Sequence, residues 1–166
     1  MELDATRQAW LTTFCGEAAR EQKGLLTRYR LLSVILNKLA EIKSEAERTL
    51  THRSPLERFD DIEPGLREKW EDELAAAVEA EYRRQRTDLL LAVQWWFRDV
   101  WLKASELSDT LLSFPDLRQP TQAVARRISA QEAVDNLGIL EQTQRLLGSN
   151  VQEALALEVG LLKLKL

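Results

Sequence analysis

The chain has 166 residues and 19.1 kDa, enough for one domain that buries roughly 70% of its unfolded surface without a disulfide or metal staple. With 45% apolar and 30% charged residues and a mean hydropathy of -0.32 it is neither disordered nor membrane-spanning. Lys and Arg number 23 against 27 Asp and Glu, and neither half is basic, which argues against a broad phosphate-neutralising face.

Only 6 Gly and 4 Pro occur, about half their usual combined share of roughly 12%, so long helices are expected. The first spans about Asp4 to Gln22, with Trp10 and Phe14 on one side. From Leu25 to Leu50 the positions 25, 29, 32, 36, 39, 43, 46 and 50 step by four and three, a heptad seam that decays after Ile42 into Lys43, Glu45, Glu47 and Arg48. Ser54-Pro55-Leu56-Glu57 caps a short turn, and Pro64 opens a helix running to about Ser105 with no further Gly or Pro after Gly65. Its first half carries a thin stripe of Leu66, Trp70, Leu74, Val78 and Tyr82 amid charges. This stripe matches the preceding seam, so an antiparallel charged hairpin over about 43–86, projecting into water, is expected.

The second half, Leu89 to Ala104, is apolar nearly all round, the pattern of a central helix. Pro115 and Gln119-Pro120 mark a break, and a short helix follows over Thr121 to Ile128. Ser129 and Glu132 form a capping box that opens a helix with Ala133, Leu137, Leu140 and Leu147 inward, closed by Gly148. Asn150 with Glu153 is expected to cap a leucine-rich final helix.

The residues that carry chemistry are few. The six glycines are scattered, so no phosphate-cradling loop is formed, and no cofactor is implied. His52 is the sole histidine and is read as solvated, which excludes triads and zinc sites built on several histidines. Cys15, the sole thiol, is read as a small buried residue, and no internal disulfide is possible. Asp60-Asp61-Glu63 and Glu71-Asp72-Glu73 are read as structural or solubilising, and Arg83-Arg84-Gln85-Arg86 as a solvated or partner-facing stretch. No metal or catalytic constellation is apparent. The start lacks a signal peptide's basic and apolar parts, so a cytoplasmic setting is expected.

Glu81-Tyr82-Arg83-Arg84-Gln85-Arg86-Thr87-Asp88-Leu89, leading into Trp95-Trp96-Phe97-Arg98-Asp99-Val100-Trp101, resembles the delta prime subunit of bacterial DNA polymerase III. Asn150-Val151-Gln152-Glu153-Ala154-Leu155-Ala156-Leu157-Glu158 through Leu162 is similar to that family's ending. The resemblance covers about 81–166, with the hairpin an insertion of the kind seen in some members. It implies an isolated collar domain: a non-catalytic fragment of a clamp-loader subunit that assembles with the delta and tau or gamma subunits. The family's nucleotide-binding modules and arginine finger have no counterpart here. The whole complex serves a DNA-directed DNA polymerase, but this domain is expected to touch no nucleic acid, membrane or small-molecule substrate directly.

The combined expectation is an all-α bundle of five to six helices of the clamp-loader collar type, one domain over 1–166, with the projecting hairpin. Trp95, Trp96, Phe97, Trp101, Leu137, Leu140, Leu155 and Leu162 are assigned to the core, and Arg98, Asp99, Leu161, Leu164 and Leu166 are candidates for a subunit interface. The alternative function is a free-standing helical coiled-coil adaptor or holdase.

Overall fold

The structure, a computed structural model, describes residues 3–21 and 24–166. The regular structure among those residues is all helical, and no strand occurs among them. Six α-helices run in order: α1 Ala5–Ala19, α2 Leu25–Arg53, α3 Pro64–Ala104, α4 Arg118–Ala125, α5 Ala130–Leu147 and α6 Glu153–Lys163. Short 3-10 turns stand at Pro55–Glu57, Asp109–Leu111 and Pro115–Leu117. Gln22, where the first helix was expected to end, lies outside the described residues. None of the described helices is long and apolar enough to cross a membrane.

Two compact units divide the chain: Met1–Leu36 with Leu89–Leu166, and Asn37–Asp88. Helices α2 and α3 each contribute to both. The larger unit is ordered around an aromatic chain. Trp10 and Phe14 of α1 stack at 5.5 Å, Phe14 meets Trp96 of α3 edge-on at 6.1 Å, and Trp96 meets Phe97 at 4.9 Å, arrangements that suit the ring quadrupoles. The Trp96 indole is fully buried, and its Nε1 donates to Thr121 Oγ1 at 2.9 Å, while that hydroxyl donates on to the Leu117 carbonyl at 2.7 Å. Buried polar groups need partners of this kind, and here the bond ties α4 to α3.

Local chemistry explains most helix ends. Asp4 caps α1 by accepting from the Arg7 amide at 2.8 Å. Ser129 and Glu132 form the expected capping box, and Gly148 closes α5. At the end of α3 the Leu107 amide reaches back to the Leu102 carbonyl, with Glu106 at φ 57° in the left-handed position that glycine usually takes. Two expected ends differ. The helix α4 begins at Arg118, before the predicted break at Gln119-Pro120, because Pro120 falls in its first turn where a missing N–H costs nothing. The last helix starts at Glu153 behind Gln152 without a side-chain cap, so Asn150 does not cap it.

The heptad seam of α2 is also displaced. The buried residues are Thr27, Leu31, Ile35, Leu39, Ile42 and Ala46, whereas Leu25 and Tyr29 are exposed. Steps of four in its first half keep one face of a straight helix inward, and the segment 25–36 is apolar on several sides, so its pattern alone did not select the face. In the smaller unit, Leu39, Ile42, Ala46 and Tyr82 are the buried apolar residues among those described.

Helices α5 and α6 pack together, and at Gly160 they leave no room for a side chain. A β-carbon there would meet Thr143 Oγ1 at 2.3 Å. Asn136, fully buried on α5, holds the end of the chain with both ends of its amide: Nδ2 donates to the Lys165 carbonyl at 2.7 Å, and Oδ1 accepts from the Lys165 amide at 2.8 Å.

Candidate functional site

The central stretch of α3 is buried on most sides but not all. Leu89, Leu90, Val93, Trp96, Phe97 and Val100 face the interior, while Leu91 and Trp95, one turn apart, are each 37% exposed. Trp95 is thus a surface residue, contrary to its assignment to the core. The next residue along that stripe is Arg98, whose guanidinium lies 5.3 Å from the Trp95 ring centroid, a cation–π contact. Arg98 also donates to the Leu111 carbonyl at 3.2 Å and to Ser113 Oγ at 3.3 Å. Together with Gln94 and with Leu137 of α5, these residues line a mostly apolar groove of about 270 Å³.

Beside the groove, Asp99 is fully buried and acts as an internal tie. Its two oxygens accept from the Ser113 and Phe114 amides at 2.9 Å each, with Arg98 Nη1 at 3.5 Å. This fixes the segment after the 3-10 turn against α3. Asp99 therefore has no surface to offer a partner, and Leu161 and Leu164 are likewise buried within the chain. Of the expected interface residues, Arg98 and Leu166 retain partial exposure. Among the expected core residues, Trp96, Phe97 and Leu140 are buried, while Trp101, Leu137 and Leu162 are half-buried. Leu155 is 51% exposed and is no core residue. With Val159, one turn further along α6, it forms a second exposed apolar pair, while Ala156, Leu157 and Leu161 turn inward.

A larger cavity of about 440 Å³ is lined by Arg20, Gly24, Arg28, Arg127, Leu164 and Lys165, among others. Two of its arginines, Arg127 and Arg28, are engaged with the backbone, and Arg20 lies 3.3 Å from Glu17. Arg127 donates to the Arg20 carbonyl at 2.9 Å and to the Ala19 carbonyl, at the end of α1. Arg28 donates to the Leu164 carbonyl at 2.7 Å, at the end of α6, and to the Gly24 carbonyl at 2.9 Å. Cations satisfy the orphan carbonyls and the negative dipole end of a helix C-terminus, so these arginines are accounted for structurally.

The nucleophile and ligand candidates resolve similarly. Cys15 is fully buried, and burial first, then the charge of Asp99, pushes its thiol far above the ordinary range, which disfavours the reactive thiolate. His52 is exposed, with Nδ1 3.3 Å from Glu57. Among the described residues no group of three or more His, Cys, Asp or Glu is placed to hold a metal ion.

The residues that sequence reasoning missed are Leu91 as a groove wall and the buried ties Thr121 and Asn136. The spacing of Leu91, Trp95 and Arg98, an apolar pair running into a cation along one face, was the available signal for the groove. Comparisons with protein-family models, with curated proteins and with solved structures find no match to the chain.

Proposed function

We propose that this chain is a non-catalytic assembly domain of the clamp-loader collar type, similar to that of the delta prime subunit of bacterial DNA polymerase III, and that it works in the cytoplasm. Its partners in this reading are the delta and tau or gamma subunits, and its role is to hold them together while a sliding clamp is loaded onto DNA. The observation that carries the reading is the groove at Leu91, Trp95, Arg98 and Leu137. An aromatic anchor with an arginine over its face, exposed beside an otherwise well-packed interior, is the composition of a partner-binding centre. The residues quoted for the family resemblance, 95–101, run through the same stretch of α3.

The test is native mass spectrometry of the chain alone and mixed with the delta subunit and the tau or gamma collar regions of the same organism. A stoichiometric mixed assembly is expected, weakened at least tenfold by Leu91→Ser with Trp95→Ser while the circular dichroism is unchanged. Absence of association at tens of micromolar, with the partners shown to be folded, overturns it. The second reading, a helical adaptor or holdase with a coiled-coil arm, draws on the separate compact unit Asn37–Asp88; it predicts binding through that unit and none through the groove.

A further inference from the structure

Residues 51–73 run from the last turn of α2 through the connector 54–63 into the first turns of α3, all within the Asn37–Asp88 unit, and the exposed apolar groups in this stretch are unusual. Phe59 is 56% exposed and Leu66 40% exposed. Trp70, one turn beyond Leu66 on the same face of α3, is half-buried, with its ring 6.3 Å from that of Phe59. An aromatic and aliphatic patch therefore faces water at the turn.

The charge around it is lopsided. Residues 51–73 hold 4 Lys and Arg against 8 Asp and Glu, while the rest of the chain holds 19 of each, so the entire formal charge of -4 is concentrated here. Glu57 lies by His52 and Glu73 by Lys69, but Asp60, Asp61, Glu63, Glu68, Glu71 and Asp72 form no ion pair among the described residues. Their charges are uncompensated locally, and the field of this stretch is negative.

We propose that this patch docks a basic polypeptide segment with an apolar anchor, the anchor resting on Phe59, Leu66 and Trp70 and its Lys and Arg meeting the acidic rim. Charge complementarity selects this occupant. Nucleic acid and an anionic membrane surface carry the wrong sign, and a second copy would bring the same negative stretch against itself. The surface is distinct from the groove of the larger unit, and the proposal does not depend on the assembly role.

The test uses the full chain, labelled for amide NMR, and two synthetic amphipathic peptides, one of Lys and Leu with a single Trp and the other with Glu for every Lys. The Lys peptide is expected to bind with shifts confined to residues 51–73, more weakly as salt is raised, and the Glu peptide is expected not to bind. Phe59→Ser with Leu66→Ser changes exposed side chains and is expected to weaken binding at least tenfold. Asp60→Asn, Asp61→Asn and Glu63→Gln together leave the patch intact and are expected to flatten the salt dependence. Shifts spread over other residues, equal affinity in the variants, or no binding overturns the proposal. Self-association of the chain that Phe59→Ser abolishes assigns the patch to a second copy and also overturns it.

Discussion

The two compact units of this chain keep their helices by different means. The unit of Met1–Leu36 with Leu89–Leu166 buries Trp96, Phe14, Phe97 and Leu157 completely, and its buried polar groups Asp99, Thr121 and Asn136 each have named partners. The unit of Asn37–Asp88 buries a thin stripe and covers its helices with short-range ion pairs: Arg48 with Glu45 at 2.6 Å, Arg83 with Glu79 at 2.6 Å, and Arg84 with Glu81 at 2.7 Å and Asp88 at 3.0 Å. These neighbours hold Glu45 below its ordinary pKa and Arg84 above its own. Exposed pairs contribute little to folding because water already solvates both charges. The smaller unit thus relies on helix propensity and a narrow seam, the larger on volume and satisfied polar ties. The surface left free of packing duty is where interaction has been proposed in each.

That contrast is broken most directly by truncating one interior side chain in each unit. Trp96→Ala removes the centre of the aromatic chain and leaves the Thr121 hydroxyl without its indole donor, so a loss of about 3–5 kcal/mol is expected. Leu39→Ala in the thin seam should cost about 2–3 kcal/mol, near the lower end for buried leucines. Urea denaturation of both variants, with hydrogen exchange to locate the loss, measures the difference. A Leu39→Ala cost equal to that of Trp96→Ala would mean that the seam is packed as tightly as the aromatic core.

How much of this was legible in the sequence follows from which forces are local. The helices, the capping box at Ser129 and the long α3 were readable because capping and periodicity act within a few residues. The inward face of α2 was not, since Leu25, Tyr29, Leu31 and Ile35 offer competing apolar stripes and only the partner helices select between them. The same ambiguity hid the groove: eleven apolar residues from Leu89 to Leu102 read as a helix covered all round, yet Leu91 and Trp95 face out. Asn136 and Thr121 were illegible because their partners, Lys165 and Trp96, are 29 and 25 residues away.

Glycine substitutions sharpen the contrast between close packing and open surface within the larger unit. Gly160→Ala drives a methyl group into Thr143, whose side chain faces α6 and has little room to yield, and a cost of about 1–3 kcal/mol is expected. Gly16 lies exposed in α1 with nothing within 4 Å of an added β-carbon, so Gly16→Ala should stabilise by about 0.5–1 kcal/mol through helix propensity. Thermal unfolding of the two variants should move in opposite directions. A shared direction would mean that the α5–α6 contact adapts.

The smallest effect tests whether surface charge in the larger unit behaves as it does in the smaller. Asp109, in the 3-10 turn after α3, accepts from Lys103 and lies 2.8 Å from Arg118. The Lys103 hydrogen bond is the main cause that lowers its pKa, with the Arg118 and Lys103 charges adding to it. A carboxyl held below its unfolded value, about 3.9, binds protons more readily in the unfolded chain, so the stability it supplies is complete above that value and is lost as pH falls through the folded one. Asp109→Asn should therefore lower the melting temperature slightly at pH 7, by an amount that stays constant down to about pH 5. The difference from the parent should then shrink in acid, because protonation removes from the parent what the substitution has already removed. A difference that persists unchanged through acid would place the effect in the shape of the turn and not in its charge.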